Sequence, residues 1–205
     1  MTGVAGQSVA IRNGLIFGGG TNAGFTAGIL LQSTTQGNVL VENVHVSNTR
    51  SSGIYLTSGE SRNIVRSCSV ENAAAGYGIL ADVVTGCTVR NAGLDGIQAI
   101  SVSDCAVIQN WGTGSAINTA NSSSLTGSVF NSTGRSYGSY GIFARNVSNS
   151  YGASTTGPAG IFASGTANIC IGERTGGTAI NAAIAIGCNS TAGTITAPQK
   201  FLGTP

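Results

Sequence analysis

The sequence predicts an all-β chain whose short strands stack in parallel, repeat upon repeat. Three observations carry that prediction. First, a small residue followed by isoleucine recurs eight times, as Gly28-Ile29, Gly53-Ile54, Gly78-Ile79, Gly96-Ile97, Ala116-Ile117, Gly141-Ile142, Gly160-Ile161 and Ala179-Ile180. Successive isoleucines lie 25, 25, 18, 20, 25, 19 and 19 residues apart, and self-similarity at such a period marks an array of stacked units. Second, between these copies runs an alternating apolar-x-apolar-x-Asn segment, the pattern of a strand with one buried face. Third, glycine makes up 32 of the 205 residues and no window carries sustained i, i+3, i+4 apolar spacing, so helices are not expected.

Taken in chain order, Val9-Ala10-Ile11-Arg12-Asn13 opens the stack. Residues 1–27 read as a first partial coil with an insertion. Within it, Gly18-Gly19-Gly20-Thr21 lacks the lysine and following helix of a phosphate loop. The alternating segment returns at Val44–Asn48, Cys68–Asn72, Cys87–Asn91, Cys105–Asn110 (one residue longer) and Gly127–Asn131, with Gly, Ser, Thr and Asn turns between. The C-terminal segment 194–205 holds Pro198 and Lys200, residues that blunt a sheet edge. No linker interrupts the repeat, so 1–205 reads as one domain. Short strands at this spacing also suit an antiparallel sandwich or barrel. A parallel coil is preferred because like residues recur at like positions and hairpin dipeptides are out of phase with the repeat.

The asparagines Asn13, Asn48, Asn72, Asn91, Asn110 and Asn131 each follow a strand, where the backbone can turn left-handed. Their amides suit an internal ladder between successive repeats; a sugar-binding row is the functional alternative. This ladder, the stacked Ile, Val and Cys positions and the coil length resemble the right-handed parallel β-helix of the pectate-lyase-like superfamily. The later segments Asn146–Gly152, Ala167–Gly172 and Ala185–Cys188 are similar to repeats of bacterial β-helix proteins without an assigned role. The resemblance, together with the general preference for right-handed parallel crossovers, implies a single-stranded right-handed solenoid of about eight coils. It also implies an extracellular or surface setting; no signal peptide is recognised at the start of the sequence.

Charged residues form 8% of the chain and the net charge is +2, with dispersed arginines. No nucleic-acid or membrane partner is expected from such a balance. Glu42 over Arg66 and Glu71 over Arg90 read as neighbouring-strand pairs that set register. Cys68, Cys87 and Cys105 share one inward position, and Cys170 has the same character. Stacked at strand spacing they are too far apart for disulfides, and with one histidine and no CxxC they form no zinc motif. They read as buried free thiols. No cofactor or metal is expected.

Relatives of the implied fold cleave or bind polysaccharide, and hydrolysis there needs paired carboxylates over a groove. The seven acids, Glu42, Glu60, Glu71, Asp82, Asp95, Asp104 and Glu173, scatter along the repeat. Asp82 and Asp95, with Arg90, form the weak acidic candidate. The other candidate is the outward position after each repeated isoleucine: Leu30, Tyr55, Leu80, Gln98, Asn118, Phe143, Phe162 and Asn181. Leu30, Tyr55, Leu80, Phe143 and Phe162 form an apolar set on a face expected to meet solvent. Three readings stay open for this row: an oligomer face, as in a trimer packed along parallel helix axes, a sugar-stacking groove, or a row covered by the early insertion; end-to-end stacking of copies is expected instead from the unpaired backbone at the ends of the stack. The expected function is a non-catalytic structural or adhesion module of a surface, fibre or tail-type protein. A polysaccharide-binding or polysaccharide-cleaving protein is the alternative, and regular Thr-x-Thr rows for ice binding occur only at Thr194–Thr196.

Overall fold

The computed structural model describes residues 8–19, 26–32, 38–57, 62–109, 111–121 and 124–201. Among them every regular element is a strand. Twenty-two strands join one sheet whose pairings are parallel; the exception is a small antiparallel hairpin of Ala120–Asn121 and Ser124–Leu125. The antiparallel alternative is thereby excluded for the main sheet.

The pairings fall into three rows, here A, B and C, met in that order along each repeat. Row A runs through Ala27–Gln32, Ser52–Thr57, Ile79–Leu80, Ile97–Gln98, Ile117–Asn118 and Ile142–Ala144 into the later long strands. Row B includes Ile64–Arg66, Val83–Thr85, Ser101–Ser103, Ser128–Phe130 and Asn146–Ser148. Row C includes Ser69–Ala73, Thr88–Ala92, Ala106–Gln109, Thr133–Ser136 and Tyr151–Ser154. Long strands such as Val39–Thr49 and Ile171–Ile186 pass from one row into the next and join the rows into a sheet that wraps one core.

The repeated isoleucine explains the core. Ile29, Ile54, Ile79, Ile97, Ile117, Ile142, Ile161 and Ile180 are consecutive partners in row A, and Ile195 extends the series. From Ile54 to Ile180 each is fully buried, a transfer worth roughly 1.5–3 kcal/mol per side chain. Rows B and C add inward valines such as Val65, Val84, Val102, Val70, Val89 and Val107. The small residue before isoleucine is set by the facing row. A Cβ on Gly53, Gly78 or Gly96 would lie 2.3–2.4 Å from a γ-methyl of Val70, Val89 or Val107. Where row A carries Ala116 instead, row C carries Gly134 in register with Val107. Farther along, Gly152 and Gly172 leave their space to Ile161 and Ile180. One side of the core yields wherever the other fills it.

Two corners bend the chain by left-handed residues. Between rows B and C stand Asn13, Asn43, Ser67, Gly86, Asp104, Asn131, Asn149, Ile169 and Gly187, with φ from 46° to 61°. At the second position, within row C, stand Asn48, Asn72 and Asn91, with φ of 54°, 56° and 59°. The single internal asparagine ladder expected from sequence is therefore split between two corners: Asn48, Asn72 and Asn91 form a ladder at one, while Asn13 and Asn131 stand exposed at the other in separate pairs. Asn72 donates to Asn48 Oδ1 (3.0 Å) and Asn91 to Asn72 Oδ1 (3.2 Å). Asn13 instead accepts from Asn43 (2.8 Å), and Asn131 donates to Asp104 Oδ1 (2.6 Å). The reason is local: Val39-Leu40-Val41-Glu42-Asn43 and Val44-His45-Val46-Ser47-Asn48 have the same spelling on either side of one corner. Val9–Arg12 pairs with the former, and Ser128–Phe130 pairs with Ser101–Ser103 of row B. Asn110 lies outside the described residues.

Candidate functional site

The outward position of row A forms one continuous line. Leu30, Tyr55, Leu80, Gln98, Asn118, Phe143, Phe162, Asn181 and Thr196 are consecutive register partners. Alternation fixes this, because each follows an inward isoleucine on a strand, buried from Ile29 to Ile180 and partly buried at Ile195. Leu30 is exposed, and Tyr55, Leu80, Phe143 and Phe162 are half-buried. Phe143 and Phe162 stack with centroids 5.0 Å apart, and Tyr140 joins both at 4.8 and 5.6 Å. Tyr77 lies 6.1 Å from Tyr55. Tyr140 and Tyr77 were not singled out in the sequence, although each directly precedes a Gly-Ile copy. That recurrence is the signal that reveals them.

The middle of the line is polar and tied down. Asp95 accepts from Ser115 N–H (2.7 Å) and from Asn118 Nδ2 (2.8 Å), and Asn118 Oδ1 accepts from Ala120 N–H (2.8 Å). Burial pushes the Asp95 carboxyl above its ordinary range, against the lowering effect of these two donors. The Tyr77 phenol is raised by burial, then by Asp95 and Tyr55.

The acidic candidate does not assemble. Asp82 ends the row A segment that begins at Gly78, and its Oδ2 accepts from Asn63 N–H (2.7 Å) of the preceding repeat. Asp95 precedes the next segment and bonds forward to Ser115 and Asn118. With Ile79 over Ile97, the two acids sit at opposite ends of row A, about 16 Å apart at strand rise. Arg90 stands in row C beside Glu71 and Ile108. Glu42 forms the bridged trio with Arg12 (3.0 Å) and Arg66 (2.7 Å), and Arg66 holds its carboxyl below the ordinary range. Glu60 lies outside the described residues. Among the described residues no group of three or more His, Cys, Asp or Glu side chains is placed to hold a metal ion.

A second polar cluster, which the sequence reading missed, stands on the outward face of row C. Arg135, Ala153 and Glu173 are register partners, and Tyr151 lies diagonally between them. Tyr151 donates its hydroxyl hydrogen to Glu173 Oε2, and Arg135 Nη2 donates to Tyr151 Oη (3.1 Å). The guanidinium also lies 5.0 Å from the Tyr151 ring centroid. Burial, followed by the Glu173 carboxylate, raises the Tyr151 phenol. Arg135 and Glu173 border an open depression of about 470 Å³, which exposed Tyr137 and Thr155 also line. The spacings 135, 151 and 173 follow no fixed period, so nothing local announces the cluster.

All five cysteines are buried and free. Cys68, Cys87, Cys105, Ser132 and Ser150 link in series. Cys68 N–H donates to Cys87 Sγ (3.4 Å), Cys87 N–H to Cys105 Sγ (3.5 Å), Cys105 N–H to Ser132 Oγ (3.2 Å) and Ser132 N–H to Ser150 Oγ (3.1 Å). Each is the residue after a left-handed corner, where the amide has no strand carbonyl to meet. The thiols of Cys105 and Cys68, together with burial, push the Cys87 thiol up.

No protein-family model, curated protein or solved structure matches this chain. Its function therefore rests on these side chains and their arrangement.

Proposed function

We propose that the chain is a right-handed parallel β-helix of the pectate-lyase-like kind that works as a non-catalytic structural or adhesion module of a surface, fibre or tail-type protein. The row pairing supports the solenoid, since each strand meets its counterpart one repeat away and parallel crossovers are right-handed in nearly all proteins. The observation that carries the module reading is how the carboxylates are used. Glu42, Asp82, Asp95, Asp104 and Glu173 each bond to an adjacent repeat, where they tie the stack together. A hydrolase instead needs a pair of carboxylates facing a common substrate. The half-buried apolar line of row A is the contact face of such a module. Incubation with a panel of neutral and acidic polysaccharides tests this reading, with no release of reducing ends or unsaturated products expected. Clear turnover would replace the module with an enzyme.

One observation favours a second reading, polysaccharide binding. The depression bordered by Arg135 and Glu173 combines a hydrogen-bond donor, an acceptor and the exposed Tyr137 ring, the elements that hold a sugar. Glycan retention that Glu173→Gln weakens would establish it; equal retention by both chains would remove the depression from consideration.

A further inference from the structure

We infer that the depression on row C holds a short, uncharged oligosaccharide extended along the axis of the stack. The inference rests on the polysaccharide-binding reading and names the class of sugar and its direction.

The direction follows from which repeats build the depression. Ile108, Arg135, Ala153 and Glu173 all line it and are consecutive register partners, so four repeats form one trough. Three strand spacings make it about 14 Å long, with a volume of about 470 Å³. A ligand lying across row C would meet one repeat, whereas one lying along the axis meets all four. Each repeat then offers its side chains at strand spacing, close to the rise of one sugar in an extended chain. Ile108 and Ala153 supply apolar floor, and the longer Arg135 and Glu173 stand beside it.

The rim is held in place. The Tyr137 carbonyl accepts from Thr156 N–H and from Thr156 Oγ1, both at 2.8 Å, so the next repeat fixes the backbone under the exposed Tyr137 ring. Arg174, which is outside the lining, fixes the threonines. Its Nη1 donates to Thr155 O (2.9 Å) and Thr175 O (2.6 Å), its Nε to Gly157 O (2.6 Å) and its Nη2 to Thr156 O (3.3 Å). Those bonds leave that guanidinium little to offer a ligand. A rim fixed beforehand loses little entropy on binding. Tyr137 presents an aromatic face, and Thr155 and Thr175 present exposed hydroxyls.

Charge selects the sugar. Arg135 and Glu173 border the depression with opposite signs, two strand spacings apart. Arg135 gives one N–H to Tyr151, and Glu173 accepts from Tyr151 with one oxygen, so both retain hydrogen-bonding capacity. A sugar hydroxyl accepts from the first and donates to the second. A uronic-acid chain carries a carboxylate on every residue, so seating one at Arg135 sets another against Glu173. A chain of free amino sugars meets Arg135 in the same way. Beyond Ile108 the outward line continues to Arg90 and Glu71, again one charge of each sign. An uncharged chain meets no repulsion along it.

Calorimetric titration of the full chain with trisaccharides of glucose, mannose, galactose and galacturonic acid tests the assignment. At least one neutral trisaccharide should bind with a Kd on the order of 0.1–1 mM, as suits an open site with few anchors. It should bind at least about tenfold tighter than the galacturonate, and its Kd should change less than about twofold between low and high salt. Affinity should rise from mono- to trisaccharide and level off beyond it. Tyr137→Ala should weaken binding about tenfold, while Tyr55→Ser on row A leaves it unchanged.

Tighter binding of the galacturonate, or neutral binding that falls as salt rises, would overturn the uncharged class and leave polysaccharide binding standing. Loss of binding in Tyr55→Ser but not in Tyr137→Ala would move the sugar to row A and overturn the site. If no probe binds, neutral or acidic, the inference and the polysaccharide reading fall together, and the structural module alone remains.

Discussion

At the scale of single residues, several side chains are chosen by the backbone group beside them. Cys87 is one. Its sulfur accepts the Cys68 amide and contacts the carbonyls of Thr85 and Val65 at 3.3 and 3.7 Å. Ser132 and Ser150 do the same work in the same series, so Cys87→Ser should cost less than about 1 kcal/mol. Cys87→Ala strands a buried amide and should cost about 1–3 kcal/mol, measured by urea unfolding. Equal losses for the two variants would disprove the acceptor role. Ile169 is the opposite case. It holds φ +50° at a corner where the equivalent residues are Asn, Asp, Ser and Gly, and its side chain is 61% exposed. A β-branched residue is strained there and gains little from burial. Ile169→Asn should raise stability by about 1 kcal/mol, and an unchanged or lower urea midpoint would refute the strain.

At the scale of elements, the rows are held by fit across the core and by charge along it. Gly78 shows the fit: a Cβ there would meet Val89 Cγ1 and Gly96 O at 2.4 Å each, and the carbonyl belongs to the next strand. Gly78→Ala should therefore cost about 1–3 kcal/mol. Gly19, with nothing within 4 Å of such a Cβ, is the control expected to change little; comparable losses at both sites would undo the packing argument. Charge along a row is seen in Glu42, whose carboxyl is lowered by Arg66 and Arg12 across three strands. A lowered folded pKa stabilises the fold above the unfolded value near 4.5 and loses that contribution as pH falls through the folded value. Thermal melts of the parent and Glu42→Gln should thus differ at neutral pH and converge in acid. A difference that persists at pH 2–3 would place its origin elsewhere.

At the scale of the whole molecule, stability comes from one continuous core of stacked isoleucine and valine, with the five thiols inside it and unbonded. Unfolding midpoints should be the same with and without reductant, and a thiol reagent should titrate five sulfurs only after denaturation. Rapid labelling of the folded chain would contradict the buried row. The period of the repeat, the inward isoleucines, the outward line beside them and the parallel pairing were all legible in the sequence. They follow from two local rules, alternation along a strand and like residue over like residue, and a local rule repeated eight times is readable without the fold. The division of the asparagines between two corners was not, because Val39–Asn43 and Val44–Asn48 obey the same rule and only the corner between them assigns each to a row. Nor were the approach of Arg135, Tyr151 and Glu173, the separation of Asp82 from Asp95, or the tyrosines that flank the row A line. Neighbours across repeats are set by connections of one to nine residues between rows A and B, and those lengths carry no period. The sequence alone thus determined the strand class, the core and the outward line; the tertiary structure decided which polar groups meet, because hydrogen-bond register fixes distances that spacing along the chain leaves free.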